Sequence, residues 1–217
     1  MPTGEQITPS AADGPAARLA ARSGVQRVPN RDLQLFILRD FLGANECAAL
    51  IDLIDAQRRP STIADDLAIA NFRTSETCDL DSNDAAVSEV DKRIAALLGL
   101  SANAGEPLQG QRYAPGQEFK PHTDTFEPGG YDFLVHTAGM GQRTWTAMIY
   151  LNRPADGGAT RFKAIAKTVQ PETGKLVAWN NLLPDGRPNP ATLHQGMKVR
   201  RGTKYVLTKW FRQLPAG

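Results

Sequence analysis

Phe119-Lys-Pro-His122-Thr-Asp124-Thr125 is the stretch on which the reading of this chain turns. If these residues form a strand, His122 and Asp124 share one face, because side chains along a strand alternate with a period of two. An imidazole and a carboxylate so placed can hold one ion. A metal site that keeps positions open for reactants needs a second imidazole. The chain offers only His136 and His194 besides His122. His194 sits in Ala191-Thr-Leu-His194-Gln-Gly-Met-Lys-Val199, an apolar-flanked run that can pair beside the first strand and complete two imidazoles and one carboxylate.

An H-x-D pair alone is a weak signal, since structural histidines produce it often. Gly202-Thr-Lys204-Tyr-Val-Leu-Thr208-Lys-Trp210 changes the weighing. Lys204, Thr208 and Trp210 have the same strand parity and can point inward together, and a buried lysine requires an anionic partner. A dicarboxylate bound to the metal at one end would present its other carboxylate to Lys204, with the Thr208 hydroxyl adding a hydrogen bond. The alternative for Lys204 is a solvated lysine at a strand edge.

Beyond these residues the chain resembles the 2-oxoglutarate and Fe(II)-dependent dioxygenases of the prolyl 4-hydroxylase family. The resemblance is carried by Phe72-Arg-Thr-Ser75, Gln111-Arg-Tyr113-Ala-Pro-Gly116, Pro121-His-Thr-Asp124, Gly141-Gln-Arg143, Met148-Ile-Tyr-Leu-Asn152, Gly157-Gly-Ala-Thr160-Arg-Phe162 and His194 through Trp210. These occur in the family's order, and their joint spacing is far more specific than any one alone. The resemblance implies a double-stranded β-helix, jelly-roll and cupin-like, with His122, Asp124 and His194 as ligands of Fe(II). It implies Lys204 as the partner of the distal 2-oxoglutarate carboxylate, supported by Tyr113, Tyr150 and Thr208. Arg73, Arg143 and Trp210 fall at substrate-side positions. The implied reaction couples oxidative decarboxylation, using O2 and releasing succinate and carbon dioxide, to hydroxylation of an unactivated C–H bond, with ascorbate as reductant. A carboxylate at 124, where related halogenases have a small residue, favours hydroxylation.

Length and composition agree. A chain of 217 residues with 41% hydrophobic residues suits one domain with a substantial core. A net charge of +2 from 25 basic and 23 acidic residues gives no case for a nucleic-acid partner. No run is long and apolar enough for a membrane span, and the first thirty residues lack an apolar signal core, so the cytoplasm is the default location. Cys47 and Cys78 are too few for a disulfide framework. Cys47 reads as a buried apolar residue in an amphipathic run, and Cys78 as part of a loop.

Residues 1–29, rich in Ala, Gly, Pro and Ser, read as a flexible tail with a short helix at Ala16 to Arg22, followed by one domain over 30–217. Leu33 to Leu38 has strand character, while Ala44 to Gln57 and Asp84 to Leu98 have apolar residues at helical spacing, Gly99 ending the second. From Leu108 onward strands and turns dominate. Helices first and strands second predict an α+β chain, mainly a β core braced by N-terminal helices.

Family analogy points to proline in an extended peptide, gripped between a loop from Asn71 to Asp81 and another from Phe126 to Met140. Lys163, Met197 and Arg212 depart from the family, which tends to carry proline, cysteine and histidine there. Arg212 has inward parity two residues beyond Trp210. Facing the pocket, it would favour an acidic substrate, which keeps a free amino acid or another small molecule open as the target. A non-catalytic metal- or ligand-binding sensor or scaffold is the reading from another class, although it would need neither the three ligands nor Lys204.

Overall fold

The computed structural model describes residues 14–61, 72–137 and 139–213. Helix α1 (Pro15–Ala21) and strands β1 (Val25–Arg27) and β2 (Leu35–Leu38) precede helix α2 (Ala44–Gln57). Strands β3 (Arg59–Pro60) and β4 (Glu76–Asp79) lead to helix α3 (Ala85–Leu98). Next come β5 (Gln109–Tyr113), β6 (Phe119–His122), the short helix α4 (Tyr131–Thr137) and β7 (Arg143–Tyr150). The chain continues through β8 (Asp156–Gly157), β9 (Thr160–Phe162), β10 (Lys167–Val169) and β11 (Leu176–Asn180). It closes with β12 (His194–Gly196), β13 (Val199–Arg201) and β14 (Lys204–Arg212).

Local chemistry explains the two long helices. In α3 the Asp84 carboxylate accepts from the N–H groups of Ala86 and Val87, satisfying donors the first turn leaves open. Gly99 ends the helix at φ 67°, in the left-handed region that favours glycine. In α2 the Glu46 carboxylate reaches back to the Gly43 N–H at 2.7 Å, while Cys47, Leu50 and Ile54 form the buried stripe. The periodicity reading is correct for both helices.

Among the described residues, fourteen strands form an eight-stranded sheet in the order β1-β2-β11-β7-β14-β5-β4-β3, a four-stranded sheet β10-β9-β12-β6 and the pair β13-β8. Every named pairing is antiparallel. The two larger sheets make the double-stranded β-helix. Period-two alternation divides the large sheet between two cores. Trp145, Ala147, Ile149, Leu207 and Phe211 pack outward with the helices, whereas Met148, Tyr150, Val177, Trp179 and Val206 fill the barrel. Helices thus shield one face of the sheet and leave the other for the site. No described helix is long and apolar enough to cross a membrane.

Three expectations change. Residues 14–28 do not behave as tail: α1 lies against α3, Leu19 is fully buried, and β1 pairs with β2. Apolar contact outweighs the low-complexity composition there. Cys78 lies in β4, buried and unpaired like Cys47. Of the Asn71–Asp81 segment, Asn71 lies outside the described residues. The part from Arg73 is built into the sheets, through a bridge from Arg73 to Phe119 and through β4 pairing with β5.

Candidate active and metal site

Strand β6 ends at His122 rather than continuing to residue 125, so Asp124 reaches the site from the bend that follows. The histidines, far apart in sequence, meet because His194 is registered directly opposite His122 in the β12–β6 pair. Their ring centroids are 4.3 Å apart, and His122 Nε2 lies 3.9 Å from Asp124 Oδ1. One potential donor atom from each of His122, Asp124 and His194 falls within 4.8 Å of the others.

Backbone carbonyls set both imidazoles. His122 Nδ1 is 2.7 Å from the Lys120 oxygen and His194 Nδ1 is 2.9 Å from the Thr192 oxygen. A carbonyl can only accept, so each Nδ1 carries the proton and each Nε2 keeps its lone pair for a metal. Burial, reinforced by His194, depresses the His122 pKa to about 3, so its ring is neutral near pH 7. Burial alone would raise the Asp124 pKa. His194, His122, Arg143 and a hydrogen bond from Thr146 together hold it below the usual carboxylate value. Two imidazoles, each with Nε2 turned from its backbone anchor, and an ionised carboxylate close around a shared point fit Fe(II).

The same pocket contains Lys204 and Thr208 with Gln111, Tyr113 and Trp210. Lys204 is 2% exposed, and no carboxylate among the described residues pairs with it. Its ammonium instead lies 4.7 Å from the Tyr113 ring centroid and 5.5 Å from that of Tyr150. Burial lowers its pKa to about 7. A desolvated cation set against aromatic rings, with no carboxylate pairing with it among the described residues, suits a receptor for an anion.

The predicted supports divide. Tyr113 donates to Gln111 Oε1 at 2.8 Å, and Gln111 Nε2 lies 3.3 Å from Thr208 Oγ1, so these three form one polar wall. The Tyr150 hydroxyl is turned away and donates to Thr160 Oγ1 at 2.7 Å. Its ring, and not its hydroxyl, faces Lys204. Gln111 went unremarked as a site residue although it shares parity with Tyr113 in β5. Trp179, which also lines the pocket, was hidden in an ordinary apolar strand.

The arginines form the surroundings. Arg73 is held by Ser75 Oγ, Thr77 Oγ1 and Gln109 Oε1 at 3.0–3.1 Å, with its guanidinium over Phe119. These contacts fix it in place. Arg143 pairs with Glu106 at 2.6 Å, approaches the Asp124 carbonyl at 3.3 Å and stacks on Trp210. Arg212 does not line the pocket. It pairs with the same Glu106 at 3.0 Å and donates to the His136 carbonyl in α4. The strand register shifts between Phe211 and Arg212, and Glu106 and the α4 carbonyl take the two terminal nitrogens of the guanidinium. Nothing in the loop sequence around Glu106 marked it, because its role depends on two arginines distant in the chain.

A facial set of two imidazoles and one carboxylate, at the mouth of a double-stranded β-helix and sharing its pocket with a buried cation, defines a mononuclear non-haem iron protein. Residues 108–212 match the model of the 2OG-Fe(II) oxygenase superfamily. Probable prolyl 4-hydroxylase 3 of Arabidopsis thaliana is 30% identical over 202 residues, covering 81% of this chain and 68% of that protein. Prolyl 4-hydroxylase subunit alpha-1 of Gallus gallus is 30% identical over 182 residues, covering 80% of this chain and 34% of the relative. The chain therefore spans about a third of the length of that vertebrate relative. Among solved structures, viral collagen prolyl hydroxylase from Paramecium Bursaria Chlorella virus-1, in its 2OG complex, superposes with a TM-score of 0.66 at 24% identity, over 83% of this chain and 96% of that one. The chain belongs to the prolyl 4-hydroxylase family of 2OG-Fe(II) oxygenases.

Proposed function

We propose that this protein is a Fe(II)- and 2-oxoglutarate-dependent hydroxylase acting on proline in an extended peptide. One observation carries the reading: a buried Lys204 without a carboxylate partner among the described residues shares a pocket with His122, Asp124 and His194. A co-substrate with a keto acid at one end and a carboxylate at the other answers both halves of that pocket. His122, Asp124 and His194 would hold the iron, which together with 2-oxoglutarate supplies oxygen activation, releasing succinate and carbon dioxide.

The chain's own residues bind, orient and exclude water. Lys204 and Thr208 would grip the distal carboxylate, Tyr113 and Gln111 would keep that wall dry and polar, and the Tyr150 ring would support the ammonium from below. Arg73, Arg143 and Trp210 stand beside the triad, where a peptide would have to pass. Similarity to prolyl 4-hydroxylases supports the substrate class, and ascorbate is the reductant we assign to the reaction.

Succinate formation from 2-oxoglutarate with anaerobically added Fe(II) and ascorbate tests this, with and without a proline-rich peptide. Wild type should turn over and be stimulated by the peptide, and His122→Ala should be inactive because an open site cannot spare one of three ligands. Turnover without peptide stimulation would move the substrate to small molecules. Absence of His122-dependent succinate under every condition would overturn the enzymatic reading.

A further inference from the structure

Behind Asp124, one row of side chains crosses three strands. Thr146 in β7 is registered opposite Trp179 of β11 on one side and Trp210 of β14 on the other. Thr146 Oγ1 lies 2.7 Å from Asp124 Oδ2, and Asn181 Nδ2 lies 2.8 Å from Thr146 Oγ1. Thr146 and Asn181 are both fully buried and Asp124 is 7% exposed, so bulk water cannot substitute for these contacts.

The direction of the chain of hydrogen bonds follows from what each group can do. An ionised carboxylate only accepts, so the Thr146 hydroxyl must donate its single proton to Asp124. Its remaining capacity is then to accept, and the group facing it must be a donor. Asn181 meets that need by presenting its NH2, which leaves Asn181 Oδ1 buried without a hydrogen-bond partner among the described residues. The amide is thus oriented for Thr146 at the expense of its own carbonyl.

The two carboxylate oxygens are separated by this arrangement. Oδ2 is held by Thr146, while Oδ1 is the oxygen that faces His122 Nε2. We propose that Asn181 and Thr146 are positioning residues, forming a relay that turns Asp124 so that Oδ1 alone reaches the metal. A carboxylate binding through both oxygens would occupy a further coordination position. Holding back Oδ2 keeps that position for reactants and removes the entropy of orienting the ligand on metal binding. The inference rests on the triad being the metal site.

Mn(II) binding to the full chain, followed by loss of the free-ion EPR signal, tests the relay without any turnover. Thr146→Val, which keeps the shape and removes the hydroxyl, should weaken Mn(II) binding by about 10-fold or more, the usual effect of losing an outer partner of a ligand. Thr146→Ser should bind like wild type. Asn181→Ala should weaken binding by itself and add little in the Thr146→Val background, because the two groups act in series. Equal affinity in Thr146→Val and wild type would overturn the relay, as would equal losses in the Val and Ser variants, which would assign the effect to packing. Should Thr146→Val fail to fold, Asn181→Ala carries the same test, with unchanged affinity overturning the proposal. Wild-type Mn(II) binding that survives His122→Ala would instead overturn the metal reading on which the relay stands.

Discussion

Lys204 shows at the scale of one residue how burial becomes function. Its pKa, about 7 in the ligand-free protein, is low because burial disfavours the charged form. A dianionic co-substrate needs the ammonium, so binding favours the protonated lysine. Below pH 7 the affinity should be flat. Above it, binding must take up a proton, and the apparent Kd for 2-oxoglutarate should rise by about tenfold per pH unit until the pH reaches the pKa of the complex. Calorimetry in buffers of different ionisation enthalpy checks this, and a proton uptake that stays at zero through pH 8.5 would refute it. The inward position of Lys204 was legible from the strand parity it shares with Thr208 and Trp210. That no carboxylate among the described residues pairs with it was not, because that is a statement about every strand around it.

At the scale of elements, α4 illustrates a different lesson. The Phe126–Met140 segment read as a glycine-bearing loop, yet Tyr131–Thr137 is helical. Arg212 ties the helix to the barrel by donating to the His136 carbonyl, and Phe126 stacks on the His136 ring with centroids 5.1 Å apart. Leu134 and Val135 remain exposed at 68% and 52%. A seven-residue helix has little intrinsic stability, so this one depends on its tertiary contacts. Arg212→Ala should raise hydrogen-exchange rates across residues 131–137 while leaving α3 unchanged. Equal protection in the variant would show that Arg212 does not hold the helix. The long helices α2 and α3 were legible because caps and apolar period are local properties, whereas α4 is stabilised by a side chain about 80 positions away.

For the whole molecule, the helices and the outer face of the large sheet form a core separate from the barrel interior. Leu19 belongs to that outer core and is fully buried. Replacing it with alanine should therefore cost about 3 kcal/mol, as core truncations do, and lower Tm by several degrees. Thermal unfolding of Leu19→Ala checks this, and an unchanged Tm would return residues 14–28 to the status of a tail.

By itself the sequence determined the two long helices and the family, and it named His122, Asp124, His194 and Lys204 as candidate site residues, because these rest on residue type, local periodicity and the order of motifs along the chain. Period-two alternation and the order of motifs survive without coordinates. Only the tertiary structure decided that Tyr150 turns its hydroxyl to Thr160, that Glu106 binds both Arg143 and Arg212, and that Thr146 and Asn181 stand behind Asp124. These contacts join residues from separate strands and loops, and their partners are chosen by sheet register and burial, which no local pattern encodes.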